Sequence, residues 1–279
     1  MLRIANLRFF GQIIMSWVLF FVFFSDRWKM FGGKIVFLQT ENDMLMTKYD
    51  EVLKTMLALK DDGQKTVLQR FFKTGKGQYG EGDVFLGIKV PQTRAVAKRF
   101  WKDCPADDLH RLLQSAYHEV RLVALLMLAL QYKHDRSNAS YADFYLAHTS
   151  RINNWDLVDL SCYDILGDWL LHNDRTVLYT LARSANFWEQ RISIVSCMAF
   201  VRNGQFDDCL AISDMLLHHP HDLIQKAVGW LLREVGKRNE EALTAFLAPR
   251  YRTMPRTMLR YAIEKYPDNV RKQFLQGTF

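Results

Sequence analysis

The sequence predicts an all-α solenoid of helical repeats, and three observations carry that prediction. Proline and glycine are scarce, at 6 and 14 of 279 residues, in a chain rich in Leu, Ala, Arg and Lys, a balance that favours helix. From Met44 onward apolar residues recur at helical spacing, and strand-like alternation is almost absent. The second half of the chain also resembles itself at intervals of 32 to 38 residues.

In chain order, the first 43 residues stand apart. Residues 13–24 (IIMSWVLFFVFF) are almost wholly apolar, but shorter than the roughly 20 residues a membrane span needs. Arg3 and Arg8 precede this run, as in a signal-peptide core, yet Phe24-Ser25-Asp26-Arg27 lacks the small-residue cleavage pattern. Patterned helix begins near Met44, and Met44 or Met46 can serve as a start. The expected organisation is therefore a hydrophobic leader or mis-called start over 1–43, outside the fold, and one helical-repeat domain over 44–279. A membrane anchor is the rival reading of the leader.

Residues 75–87 (GKGQYGEGDVFLG) must be a loop. Its glycines and Lys76 could cradle a phosphate, but the Gly-Lys-Ser/Thr of a Walker motif is missing, and a flexible connection between helices is the simpler reading.

Five later segments align without gaps: HEVRLVALLML, NWDLVDLSCYDIL, FWEQRISIVSCM, HDLIQKAVGWLL and RTMLRYAIEKY. Each opens on a polar stretch and continues as an amphipathic helix. Shorter helices are expected between them at 138–149, 175–183, 206–217 and 240–247, completing helix pairs. Two-helix repeats of this length mark HEAT-like solenoids, in which each repeat buries its apolar face against its neighbours. The aligned position is Arg121, Asp159, Arg191, Lys226 and Arg260. Equivalent positions of the second helices line the concave face, so the row should form a basic groove. The alternative is that these cations only cap or bridge neighbouring helices. The net charge is +7 and the pI about 9.2, and the charge remains +5 without residues 1–43. A polyanionic partner fits that balance.

Cys104, Cys162, Cys197 and Cys209 form no CxxC pair and read as small buried hydrophobes. His218, His219 and His221 flank Pro220 without a Cys or acidic partner at ligand spacing, so no metal is expected.

Asp159 is the acidic member of a basic row. A carboxylate there repels phosphate, so it either works or pairs with Arg191. Trp155 lies four residues earlier on the same helical face, and Trp230 stands likewise four residues after Lys226. Tryptophans at such spacing belong to a core as readily as to a site. One chemistry suits a lone carboxylate between indoles. A purine alkylated at N3 or N7 is cationic and leaves as a neutral base, so no general acid is needed. The oxocarbenium transition state can be stabilised by one carboxylate, which also positions water. Indole faces attract the cationic lesion, and a guanidinium can hold a phosphate. No lysine is placed as an amine nucleophile.

The residues that carry a family resemblance run in order along most of the chain. They are Phe85-Leu86-Gly87 with Pro91 and Arg94; Trp155-Asp156-Leu157-Val158-Asp159; Trp188-Glu189-Gln190-Arg191; Ile224-Gln225-Lys226-Ala227-Val228-Gly229-Trp230 with Arg233-Glu234; and Arg256-Thr257-Met258-Leu259-Arg260-Tyr261-Ala262. Together they resemble the DNA alkylation repair family, the HEAT-like-repeat alkylpurine DNA glycosylases of the AlkD type. The resemblance implies Asp159 as the catalytic aspartate, Trp155 and Trp230 flanking the lesion's sugar, and Arg191 contacting the DNA backbone. It also implies a concave basic groove without metal or cofactor, and a lesion read through its backbone without base extrusion. Arg121, Lys226, Arg260, Arg233, Arg256 and Lys76 are the expected DNA contacts. The expected partner is duplex DNA containing alkylated purines, bound by a cytoplasmic monomer. The chain departs from the family pattern in its leader, in Asn154 where some members carry tryptophan, in a longer 75–87 loop, and in Phe71 where some use tyrosine. The alternatives are a non-enzymatic solenoid that binds damaged or branched DNA, a protein-interaction scaffold, and a membrane-anchored protein.

Overall fold

A computed structural model describes residues 28–31, 34–37 and 46–279. The apolar run at 13–24 lies outside the described residues. The chain divides into two units, Met1–Thr47 and Lys48–Phe279. In the first, β1 (Trp28–Phe31) pairs antiparallel with β2 (Lys34–Phe37), in the register Trp28 with Phe37 and Phe31 with Lys34.

The second unit is helical: α1 (Lys48–Ala58), α2 (Asp62–Phe71), α3 (Val90–Phe100), α4 (Ala106–Leu113), α5 (His118–His134), α6 (Ser140–Ala147), α7 (Trp155–Asp159), α8 (Thr176–Ala182), α9 (Phe187–Ser196), α10 (Met198–Arg202), α11 (Asp207–Met215), α12 (Asp222–Gly236), α13 (Glu240–Leu247), α14 (Arg256–Ala262) and α15 (Asp268–Gln276). The helices expected from the internal repeat are α5, α7, α9, α12 and α14. Each packs on the next in that order, while α4, α8, α11 and α13 pack on their partners from the other layer. This is the stacked helical-repeat solenoid that the spacing predicts. Among the described residues, no helix is long and apolar enough to cross a membrane.

Local chemistry sets the helix starts. Asn154, Asn186 and Asn239 each accept a hydrogen bond from a backbone N–H of the first turn that follows. The close packing of α12 on α14 requires Gly229: a Cβ there would lie 2.5 Å from the Met258 carbonyl oxygen. The segment expected as one helix from Trp155 is broken after Asp159. The Ser161 hydroxyl donates back to the Leu157 carbonyl at 2.5 Å, and a π-turn follows over Tyr163–Gly167. The core runs unbroken along the stack from Val52 to Phe274, and all four cysteines are buried and unpaired within it. α5 sits inside the stack, touching α1, α3, α4, α6, α7 and the π-turn, and nearly all of its first three turns are buried.

Candidate functional site

Asp159 ends the short α7, and Arg191 projects from the neighbouring α9. The guanidinium grips the carboxylate with two bonds, Nε to Oδ1 at 2.9 Å and Nη2 to Oδ2 at 2.7 Å. Its Nη1 donates to the Leu223 carbonyl just inside α12, so one side chain ties three successive repeats together. Arg191 is only 5% exposed. Burial pushes the Asp159 carboxyl above the usual carboxylate range, while Arg191 pulls it back. The arginine therefore does not reach out for a phosphate. It holds the carboxylate in one orientation and favours its ionised form.

Trp155 lies one turn before Asp159, half-buried. One indole face is stacked on Phe72, with centroids 5.2 Å apart and planes 18° apart, and Phe71 meets it edge-on at 5.9 Å. Both phenylalanines lie at the C-terminal end of α2, where the loop to α3 begins. The Tyr79 hydroxyl of that loop donates to the Phe71 carbonyl at 3.4 Å, and its ring meets Trp188 of α9 edge-on at 6.2 Å. The ammonium of Lys73 lies 5.9 Å from the Tyr79 ring centre.

The connection expected to be flexible is thus pinned at both ends. Glu119, buried at the start of α5, accepts from the backbone N–H groups of Leu86, Gly87 and Ile88 at 2.8 to 3.1 Å. Gly87 has φ +90°, and a Cβ there would fall 2.0 Å from the Asp61 carbonyl oxygen, so only glycine fits. The phosphate-cradle reading of the loop is corrected. The Gly75 and Gly77 N–H groups are already satisfied by the side chains of Gln78 and Glu81. Lys76 is exposed on the loop surface.

Beneath the aromatic layer lies an ionic network that the sequence reading missed. His118 Nδ1 lies 3.1 Å from Asp83 and its Nε2 lies 2.9 Å from Asp156. Asp83 also accepts from Arg121 Nη2 at 2.5 Å and from Asn154 Nδ2 at 2.9 Å. The imidazole stacks on Phe85 at 4.4 Å, which stacks in turn on Phe72. Burial alone would lower the His118 pKa, but the two carboxylates reverse that and raise it to about 9. Burial would raise Asp83, yet His118, Arg121 and Asn154 bring it down to about 2. The pairing of His118 and Arg121, three residues apart at the start of α5, was the available signal. It needed Asp83, far away in the loop, to become readable.

The expected DNA contacts divide accordingly. Arg121 is corrected: it is 2% exposed and spends its guanidinium on Asp83 and on the Ser115 and Ala116 carbonyls, because α5 is enclosed by the stack. Lys226 bridges Asp222 one turn earlier on α12 at 2.8 Å. Arg233 pairs with Glu264, and Arg256 donates to the Leu275 carbonyl. Arg260 is exposed on α14. Trp230 is half-buried one turn beyond Lys226, and no ring contact joins it to Trp155 among the described residues. The structure brings together Asp159, Arg191 and Trp155. It does not bring Arg121 or Arg191 to an open groove.

A family model described as DNA alkylation repair enzyme matches residues 52–266. A solved structure described as a predicted DNA alkylation repair enzyme from Enterococcus faecalis is 22% identical with a TM-score of 0.61, covering 75% of this chain and 97% of its own. AlkD2 from Streptococcus mutans is 14% identical with a TM-score of 0.49, covering 74% of this chain and 98% of its own. No curated protein matches the sequence.

Proposed function

Because the chain belongs to the DNA alkylation repair enzyme family over residues 52–266, we propose that it is a monofunctional DNA glycosylase releasing cationic N3- or N7-alkylated purines from duplex DNA. The observation that carries this reading is the Asp159 carboxylate, nearly enclosed, gripped at both oxygens by Arg191 and standing one turn from Trp155.

The chemistry follows from that pair. The alkylated base carries its own positive charge and leaves neutral, so no second carboxyl is needed to protonate it. As the N-glycosidic bond breaks, its electron pair leaves with the base and positive charge develops on the sugar; a fixed anion stabilises that charge without reorganising, and water then adds to the sugar carbon and loses a proton to solvent. Asp159 supplies that anion. Arg191 keeps it ionised against the cost of burial and fixes its orientation. The aromatic layer of Trp155, Phe71 and Tyr79 offers π faces to a cationic base. Trp230, Lys226 and Arg260 remain proposed contacts along α12 and α14, and the protein is proposed to act as a monomer.

The test is release of free base from a duplex carrying a single 7-methylguanine, comparing the parent with Asp159→Asn. Release should fall about 100-fold or more in the variant, while duplex binding is retained. Equal release by both would remove Asp159 from the mechanism. One observation favours a second reading, a non-enzymatic protein binding damaged DNA: Phe72 already covers one face of Trp155. No release by the parent, with duplex binding intact, would establish that alternative.

A further inference from the structure

Most cations that the repeat pattern assigns to the groove are already engaged. Arg121 and Arg191 are buried in ion pairs, Lys226 holds Asp222, and Arg233 holds Glu264. Among the described residues, a different group is engaged at one member only, Arg136. α3 presents Arg94 and Lys98, the last turn of α5 presents Lys133, and Arg136 follows just beyond it, around a depression of about 220 Å³. Arg136 bonds Asp168 at 3.1 Å. Arg94, Lys98 and Lys133 are exposed and form no ion pair closer than 4 Å with a described residue. Asp164, on the π-turn, stands among them. Burial raises its pKa, and the charges of Arg202, Lys133 and Arg94 pull it back. Four cations, Arg94, Lys98, Lys133 and Arg136, thus line the depression with two carboxylates, Asp164 and Asp168.

The depression adjoins the Asp159 site. Leu160, the next residue in the chain, lines it. Asp164 lies five residues after Asp159, on the π-turn that follows the break in the helix. Of the depression's three walls, α3 and the π-turn each pack directly on α5, so the charges are carried on helical elements of the stack.

We propose that this depression is a phosphodiester-binding site that seats the backbone of duplex DNA beside Asp159, with Arg94, Lys98 and Lys133 as its phosphate contacts. The proposal rests on the reading of the chain as an enzyme acting on duplex DNA. Three exposed cations that form no ion pair within 4 Å among the described residues can meet phosphate without breaking a buried pair, which Arg121 and Arg191 cannot. Successive phosphates on a strand rise by about 3.4 Å, so a depression of this size spans neighbouring phosphates. Asp164 relieves the mutual repulsion of the cations in the free protein while leaving the cluster net positive. Such contacts fix register and carry no base sequence.

The experiment measures affinity of the full chain for an unmodified duplex across a salt series, beside the variant Arg94→Ala/Lys98→Ala/Lys133→Ala. Each phosphate contact contributes about 0.9 to the slope of log affinity against log salt, so the slope should fall by about 2 to 3. The affinity at low salt should fall tenfold or more. A control, Arg99→Ala/Lys102→Ala/Arg183→Ala, removes the same charge from exposed positions outside the depression. Its slope should change by less than about 1. An unchanged slope in the first variant, or an equal loss in both, overturns the proposal alone. A parent whose duplex affinity ignores salt overturns the underlying reading, and this proposal with it.

Discussion

Arg121 and Arg191 occupy the same repeat position as Lys226 and Arg260, yet the two halves of that row do different work. Arg121 is 2% exposed and Arg191 5%, each locked to an aspartate from another element. Lys226 has 39% of its side chain exposed, and Arg260 is open to solvent. A repeat position fixes where a side chain starts, and the surrounding elements decide what it meets. In the first half, the pinned 72–89 loop and the enclosed α5 bring carboxylates and aromatic rings over the row. In the second half, Lys226 and Arg260 keep their side chains open to solvent on α12 and α14. The basic row is thus half scaffold and half surface.

The largest effect should follow from breaking the scaffold half. Arg121→Ala leaves Asp83 buried with one cation fewer, and removing one partner of a buried pair costs about 3–5 kcal/mol. For a helical unit of this size the melting temperature should fall by roughly 10 °C. Arg191→Ala should destabilise comparably and also abolish base release, since Asp159 loses both bonds that fix it. Thermal unfolding of both variants checks this. A Tm within a degree or so of the parent for Arg121→Ala would mean that the Asp83 network contributes no net stability.

How much of this was readable in the sequence divides along the same line. The stack was legible, because repeat spacing and helical periodicity are local properties. Asp159 with Trp155 was legible for the same reason, being one turn apart on one face. Arg191 as the partner of Asp159 was one of two open readings, and only packing of α7 on α9 decides it. The Asp83, His118 and Asp156 network was not legible, since its members lie far apart in sequence and meet only through the loop. Arg121 was misplaced by assuming that every second helix keeps an open face, whereas the nearly continuous apolar run after it (LVALLMLAL) already marks a helix covered on all sides. The pairing of 28–31 with 34–37 was not anticipated from the sequence.

The buried histidine sharpens the contrast through pH. His118 is held charged by Asp83 and Asp156, its pKa raised to about 9 from the ordinary 6.5. The stability this contributes is complete below about 6.5 and is lost as pH rises through about 9. Between about pH 7 and pH 10 the parent's Tm should fall by several degrees more than that of His118→Gln, which has no proton to lose. Parallel curves for the two proteins would show that the imidazole is neutral in the fold. Asp159 gives the opposite sign in activity. Its raised pKa means that base release should fail on acidification before ordinary carboxylates, near 3.9, are protonated.

The smallest effect belongs to the surface half. Lys226 bridges Asp222 one turn away on α12 with both side chains well exposed. Such pairs contribute about 0.3–0.5 kcal/mol, since solvent and salt screen them and two long side chains must be ordered. Lys226→Ala should therefore move the Tm by no more than about 2 °C. The same substitution removes a cation that has only a weak hold on its own carboxylate and can exchange it for a phosphate. Its salt slope for duplex binding should fall by up to about 1, set by how far phosphate displaces Asp222. A Tm loss as large as that of Arg121→Ala would mean that position in the repeat, and not enclosure by neighbouring elements, sets what these cations do.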